Sequence, residues 1–156
     1  GGWSEPRLLP EPVNSSGKDY HSSETRAGDL YLASNRVGGT RSSIYRARRA
    51  GEKWSVESVM LSSDPVGQPD LMVSPDGMWM ILVITSHPQG LGGDDLFLSR
   101  FENGRWSQPK HLPAPINSAE YEYGPSLSPD GRTLYFTSHR RGNADVYRIP
   151  VAALGQ

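Results

Sequence analysis

The sequence predicts an all-β fold built from three copies of one repeat of about 50 residues. The dipeptide Trp-Ser occurs three times at nearly equal spacing, beginning at Trp3, Trp54 and Trp106. Short apolar runs bounded by Gly, Pro and Asp recur between these tryptophans, which is typical of β-strands separated by tight turns. No stretch has the 3.6-residue apolar period of an amphipathic helix, so every predicted element is a strand.

Each repeat is predicted to contain four short strands, and a turn of sequence "SPDG" ends the first strand of the second and third repeats. Pro presets φ at the first corner of that turn. Asp76-Gly77 and Asp130-Gly131 then supply residues that tolerate a positive φ. We therefore expect Gly77 and Gly131 at positive φ between the first and second strands.

The second strand is the apolar run that reads "LYLASNR", "MILVITSH" and "LYFTSHR" in the three repeats. The middle run is continuously apolar, which predicts burial on both faces, and it is about two residues longer, which predicts a bulge. The third strand is headed by Asp95 and Asp145 in the second and third repeats. These carboxylates are predicted to cap backbone amides, with calcium binding as the alternative.

The fourth strand starts at each Trp, whose ring is predicted to pack between sheets rather than stack on a sugar.

Four antiparallel strands in a repeat of this length are the pattern of a β-propeller blade. The predicted blades span residues 3–53, 54–105 and 106–150 of a single domain. Propellers typically close with about four to eight blades, so three blades leave two sheet faces uncovered. Residues 3–9 match a fourth strand, and residues 145–149 are a third strand without a fourth. We therefore expect two chains to close a six-bladed ring as a homodimer, with each N-terminal strand completing the last blade of the partner.

The stretch "SPDGRTLYFTSHRRGNADVY" resembles the repeat of TolB-type, WD40-like β-propellers, in which Ser-Pro-Asp-Gly precedes the second strand and an Asp precedes an aromatic residue in the third. The resemblance extends over nearly the whole chain, although the first copy lacks Ser-Pro-Asp-Gly. It implies a non-catalytic binding or scaffold module for a protein, a peptide or a small ligand. It also implies a periplasmic or extracellular location, and since no signal peptide is found in the sequence this location rests on the resemblance alone.

Polar residues are predicted to gather at one mouth of the propeller channel, because the first strand starts and the second strand ends on the same face of a blade. Aromatic side chains there suit stacking, and Arg and His suit anions or carboxylates. The candidate ligand-binding residues are His21, Arg36, His87, Glu120, Glu122, Tyr123, His139 and Arg140. The alternative is an ordinary polar loop surface.

Two other functions stay open. A hydrolase or lyase site could form at the channel mouth from His21, His87, His139 and either Glu120 or Glu122. The chain could also be a half-propeller assembly unit, natural or engineered, with no ligand of its own. The common hydrolase, nucleotide-binding and zinc-protease motifs are absent from the sequence, so no catalytic residue, cofactor or metal is predicted.

Composition narrows the classes of partner. The net charge is −1 and 21% of residues are charged, so no strong field favours nucleic acid. No apolar stretch approaches the roughly 20 residues that a membrane helix needs, so no membrane span is predicted. Cysteine is absent, which excludes disulfides, thiolate metal sites and cysteine nucleophiles.

Overall fold

The computed structural model describes residues 2–38, 42–59 and 70–155. Its strands are β1 (Asp19–Glu24), β2 (Leu30–Ser34), β3 (Ser43–Ala50), β4 (Lys53–Val59), β5 (Leu71–Val73), β6 (Trp79–Thr85), β7 (Asp94–Glu102), β8 (Arg105–Trp106), β9 (Lys110–His111), β10 (Glu122–Leu127), β11 (Thr133–Ser138) and β12 (Asp145–Pro150). A 3₁₀ turn, Val151–Leu154, follows β12. The predicted all-β fold is confirmed, and no helix in the described ranges is long and apolar enough to cross a membrane.

The strands form three antiparallel sheets in chain order. The first sheet has the order β1-β2-β3-β4, the second β5-β6-β7-β8, and the third β10-β11-β12. In the second sheet β9 also pairs with β7, so β8 and β9 are two pieces of one outer strand. Consecutive strands therefore pair with each other, as expected for strands joined by short hairpin turns.

The two Ser-Pro-Asp-Gly turns have the same geometry. Gly77 and Gly131 both have φ of 71°, so the predicted positive φ is confirmed. The turn closes when Gly131 N donates to Ser128 O at 2.8 Å. Ser128 Oγ donates to Asp130 Oδ1 at 2.5 Å, and this hydrogen bond helps to hold the pKa of Asp130 below its usual range. Asp130 also accepts a hydrogen bond from Arg132 N at 3.0 Å. Side-chain hydrogen bonds therefore satisfy backbone groups of the turn that have no partner strand.

The middle sheet is buried on both faces, as its continuously apolar second strand predicts. Met80, Leu82 and Ile84 of β6 pack against the first sheet, in a cluster that includes Tyr31 and Ile44. The alternate residues Ile81 and Val83 pack against the third sheet, in a cluster that includes Leu134 and Phe136. The period of two along β6 therefore divides one strand between two cores.

The bulge predicted in the second repeat is not observed. β6 pairs with β7 in unbroken register from Trp79↔Arg100 to Thr85↔Asp94. The extra length of this repeat is taken up by a longer β6 and by the loop that follows it, which leaves the ladder intact. The register shifts occur instead in the first strands of the two other sheets, between Tyr20 and Ser23 and between Tyr123 and Ser126.

Two of the three tryptophan stretches form the fourth strand of a sheet. Trp54 lies in β4 and Trp106 in β8, and both strands pair with the third strand of their sheet. The Trp106 ring reaches the first sheet, where it meets Tyr31 edge-on with centroids 5.7 Å apart. Residues 2–10 adopt no regular structure, and Trp3 is fully exposed. β12 is therefore an edge strand of the third sheet.

The turn geometry makes a testable prediction about Gly131. A Cβ at this position would meet no atom within 4 Å, so replacing it with Val adds strain through φ alone. We expect Gly131→Val to lower the free energy of unfolding by about 1–2 kcal/mol, which is the cost of left-handed backbone for a residue with a Cβ. Urea denaturation measures this difference. Gly2→Val is the control, because Gly2 also has free space around it and no positive φ; equal effects of the two substitutions would contradict the assignment.

Candidate functional site

The first strands of the three sheets, β1, β5 and β10, face a common groove. Its cavity volume is about 400 Å³. Its lining residues come from these strands and the turns that follow them: Ser22, Ser23, Glu24, Leu71, Met72, Val73, Pro75, Pro125, Ser126, Leu127, Ser128 and Pro129. We call this the axial groove. Apart from Glu24, serine, proline and apolar side chains form its walls, and none of the predicted ligand-binding residues is among them.

One end of the axial groove is shaped by two equivalent bulges. His21 in β1 has φ of 50° and Gly124 in β10 has φ of 63°. Each lies within the register shift of its strand. A bulge bends the strand and re-aims the side chains beside it, and such features are frequent next to binding sites. His21 is a non-glycine residue in the left-handed region, where histidine is several-fold enriched over most residues.

Asp70 joins the two bulges. Its Oδ1 lies 2.9 Å from His21 Nδ1, and its Oδ2 accepts a hydrogen bond from Gly124 N at 3.1 Å. One carboxylate from the second sheet therefore contacts the first sheet through one oxygen and the third sheet through the other. The His21 and Asp70 side chains are 42% and 25% exposed, so the pair is accessible to a ligand. We call His21, Asp70 and Gly124 the axial contact.

Aromatic and imidazole rings lie beside the same strand starts. Tyr123 OH lies 3.2 Å from His139 Nε2, and the Tyr121 ring meets the His139 ring with centroids 5.7 Å apart. In the first sheet the Tyr20 ring meets His21 edge-on at 5.2 Å. Tyr121 is exposed, whereas Tyr123 and His139 are partly buried. Aromatic faces with hydroxyl and imidazole groups at their edges suit a ligand that is both apolar and hydrogen-bonding.

Arg140 and Glu122 are already engaged by the chain itself. Arg140 donates to Pro115 O at 2.7 Å and to Ile116 O at 2.5 Å, and its guanidinium lies 4.7 Å from the centre of the Tyr147 ring. Glu122 is fully buried, and both of its carboxylate oxygens accept hydrogen bonds. The donors are Ser118 N at 2.8 Å, Ser118 Oγ at 2.6 Å, Ser138 Oγ at 2.5 Å and Arg140 Nη2 at 3.4 Å. This arrangement ties the segment that enters the third sheet to that sheet.

Arg36 and Asp19 form the same arrangement in the first sheet. Arg36 donates to Pro12 O and Val13 O at 2.8 Å each and to Asp19 Oδ1 at 3.0 Å. Its guanidinium lies 4.4 Å from the centre of the Tyr45 ring. Burial acts to raise the pKa of Asp19, but the hydrogen bonds from Ser34 and Ser15 and the charge of Arg36 outweigh it, so this pKa is lowered. We call these two arrangements the arginine clamps.

The remaining predicted residues lie along the second sheet and its neighbour. The His87 ring packs on Phe97 with centroids 4.8 Å apart, and His87 Nδ1 accepts from Gln89 N at 3.1 Å. Glu120 has an exposed side chain, and its backbone carbonyl accepts from Gly93 N at 3.2 Å. Asp95 is fully buried, accepts from Leu91 N and Gly92 N at 3.1 Å each and lies 3.3 Å from His111 Nε2. Its counterpart Asp145 is exposed at the start of β12.

The structure thus brings some predicted residues together and separates others. Tyr123 and His139 are in contact, and His21 belongs to the axial contact. Arg36, Arg140 and Glu122 point their charged groups back into the chain. Asp70 was not predicted, although a partial signal for it existed: Asp70 and Gly124 precede the first residue of their Ser-Pro-Asp-Gly turns by the same number of positions. His21 stands at the equivalent position relative to the turn that the structure shows at Thr25–Gly28. Among the described residues no three His, Cys, Asp or Glu side chains cluster as a metal site would require.

Comparison with known proteins identifies the fold. No protein-family model matches the chain, and no curated protein is similar in sequence. A TolB structure from Acinetobacter baumannii matches 87% of this chain with a TM-score of 0.62 and 19% sequence identity. A protein assigned as TolB from Agrobacterium tumefaciens matches 89% of this chain and 60% of its own length at 18% identity, with a TM-score of 0.49.

The chain therefore has a β-propeller fold. More particularly, its three sheets have the TolB-type arrangement that its repeat resembles. The match covers 30% of the Acinetobacter TolB chain, so this chain spans less than a third of the length of that protein.

The arginine clamp predicts how stability depends on pH. The folded-state pKa of Asp19 lies below its usual value of 3.8, so its contribution is present above that pH and is lost as the pH falls through the folded-state pKa. We expect Asp19→Asn to lower the free energy of unfolding by about 1–2 kcal/mol at pH 7, because charge-assisted bonds are lost. The difference between Asp19→Asn and the unsubstituted chain should shrink as the pH falls below 3.8.

Urea denaturation at several pH values measures this dependence. Glu102→Gln is the control, because Glu102 is an exposed carboxylate at the end of β7 and should give little difference at any pH. A difference between Asp19→Asn and the unsubstituted chain that stays constant from pH 7 to below 3.8 would contradict the role of the Asp19 carboxylate.

Proposed function

We propose that this chain is a non-catalytic binding module of TolB-like type, which presents the axial contact and the neighbouring aromatic residues to a peptide segment of a partner protein. The observation that carries the proposal is the convergence of three sheets on Asp70, which accepts from Gly124 N at 3.1 Å and pairs with His21 at 2.9 Å. A ligand at this point would contact every sheet at once. The resemblance to TolB-type repeats supports a periplasmic or extracellular location for this binding.

The chemistry of the surface suits a peptide. Asp70 is a hydrogen-bond acceptor for an amine or a backbone N–H, while His21 and His139 can donate to a carbonyl or carboxylate. Tyr121 is exposed beside His139 and offers a ring face for an apolar side chain. Arg36 and Arg140 contribute indirectly, since their clamps hold the loops that carry these groups.

The proposed assembly is a homodimer that closes a six-bladed ring. Each face of the middle sheet is covered by a neighbouring sheet, whereas the outer flanks of the first and third sheets have no neighbouring sheet within the described chain. A second copy would cover both flanks through two identical head-to-tail contacts. It would also complete the axial groove and place a second axial contact across the ring.

The assembly is tested by the solution mass of the intact chain. We expect sedimentation equilibrium at micromolar concentration to give twice the 17.1 kDa mass of the chain. The physical reason is that a second copy would cover the outer faces of the first and third sheets, and each Å² of apolar surface buried there stabilises association by roughly 25 cal/mol. A well-folded monomer at this concentration would overturn the dimer and leave the peptide site to be tested separately.

The binding site is tested with a random peptide library displayed on phage. We expect peptides that are selected on the intact chain to bind at least about tenfold more weakly to His21→Ala and to His139→Ala, since each loses a hydrogen bond to the ligand. Lys53→Ala is the matched control, because Lys53 is exposed on the outer strand β4, away from the strand starts. The site would be contradicted if the selected peptides bound more weakly only to Lys53→Ala, or bound all three variants as tightly as the intact chain.

A further inference from the structure

The segment between the second and third sheets is hydrogen-bonded to the edge of β7. Leu96 N donates to Asn117 Oδ1 at 2.9 Å, and Asn117 Nδ2 donates back to Leu96 O at 2.9 Å. Leu112 N also donates to Leu96 O, at 3.0 Å. One side-chain amide thus satisfies both backbone groups of a single strand residue. Asn117 is 1% exposed, so these bonds are shielded from water.

A second segment has the same internal structure. In residues 112–118, Ile116 N donates to Pro113 O at 3.0 Å, and Asn117 Nδ2 donates to Leu112 O at 2.7 Å. In residues 9–15, Val13 N donates to Pro10 O at 3.0 Å, and Asn14 Nδ2 donates to Leu9 O at 2.7 Å. An arginine clamp holds each segment through two carbonyls. We call residues 112–118 the inner connector and residues 9–15 the N-terminal connector.

The two connectors differ in what they hold. The inner connector grips β7, whereas within residues 2–38, 42–59 and 70–155 no strand lies against the N-terminal connector in the same way. Asn14 is partly exposed, while Asn117 is buried. Within those ranges the N-terminal connector therefore has the internal structure of the inner connector but no strand bonded to it.

The register of the sheets identifies a strand residue that matches this connector. Leu96 pairs with Val83 in the second sheet, and Val146 pairs with Thr137 at the equivalent position of the third sheet. Leu96 is fully buried, whereas Val146 is 74% exposed at the outer edge of β12. By this equivalence the N–H and C=O of Val146 point outward, as those of Leu96 do. The described residues thus contain both a connector with no strand bonded to it and a strand edge that matches the one held by the inner connector.

We propose that the N-terminal connector is a docking site for the β12 edge of a second copy, with the Asn14 amide bonded to both backbone groups of Val146. Leu9 N donates to Val146 O, as Leu112 N does to Leu96 O. Leu8 lies opposite Tyr147, as His111 lies opposite Phe97. This inference rests on the proposed homodimer and specifies the contact that selects the partner strand and its register.

A disulfide cross-link tests the docking directly, because residues 1–156 contain no cysteine that could compete. Facing residues at a non-hydrogen-bonded position of an antiparallel pair have Cα atoms about 4.5 Å apart, which is within the range of a disulfide. We expect the double variant Leu8→Cys, Tyr147→Cys to run as a covalent dimer on a non-reducing gel after mild oxidation. Val37→Cys, Tyr147→Cys is the control, since Val37 is exposed but lies outside the connector, and it should stay largely monomeric on the gel.

The two asparagines give a matched pair of variants for the role of the amide. Asn14→Ala should weaken the dimer by about tenfold or more, because each of the two interfaces loses two hydrogen bonds, while the fold is retained. Asn117→Ala should instead lower the urea midpoint of unfolding, because its bonds lie within one chain. Sedimentation measures the first effect and urea denaturation the second.

The outcomes separate this inference from the function on which it rests. A dimer that forms no Leu8–Tyr147 cross-link, or whose dissociation constant is unchanged by Asn14→Ala, overturns the docking contact and leaves the homodimer in place. An intact chain that stays monomeric overturns the homodimer and, with it, the second copy as the occupant. A cross-linked dimer that Asn14→Ala weakens supports both.

Discussion

The structure depends on the burial of each sheet face against the next sheet. β6 shows this most clearly, because alternate residues of one strand enter two different cores. A sheet with an apolar face must bury that face against another element, so neighbouring sheets stabilise one another. The Arg140 clamp, the inner connector and the axial contact all act where one sheet meets the next. They set the distance and orientation of faces whose attraction is otherwise non-directional.

The sequence predicted the elements of the fold because their signals are local. Pro-Asp-Gly turns, period-two apolar runs and the recurring Trp-Ser pairs each act within a few residues, and β4, β6 and β11 lie where these patterns place them. The bulge prediction was wrong because an insertion can lengthen a loop as easily as it can distort a ladder. Counting residues does not decide between these two outcomes, whereas the register of β6 on β7 does.

The candidate site was less predictable because it depends on contacts between repeats. Arg36 and Arg140 are of the residue type that binds anions, but their guanidinium groups donate hydrogen bonds to backbone carbonyls of the preceding segment instead. Asp70 was missed because its importance comes from His21 and Gly124, which lie about 50 residues away on either side. Aligning the second and third repeats on their Ser-Pro-Asp-Gly turns brings Asp70 and Gly124 to one position, whereas the first repeat lacks this turn and His21 is placed only by the structure.

His21 and Gly124 occupy equivalent positions in two bulges, where one residue carries an imidazole and the other has no side chain, and Asp70 lies at the corresponding position before β5, where the register is unbroken. The repeat therefore separates shape from chemistry: the start of each first strand fixes where a residue is presented, and the residue at that position can differ from sheet to sheet. The three strand starts therefore differ chemically even though their backbones follow similar paths. A substitution at one of them changes the chemistry of the axial contact without altering the strand pairing that holds each sheet together.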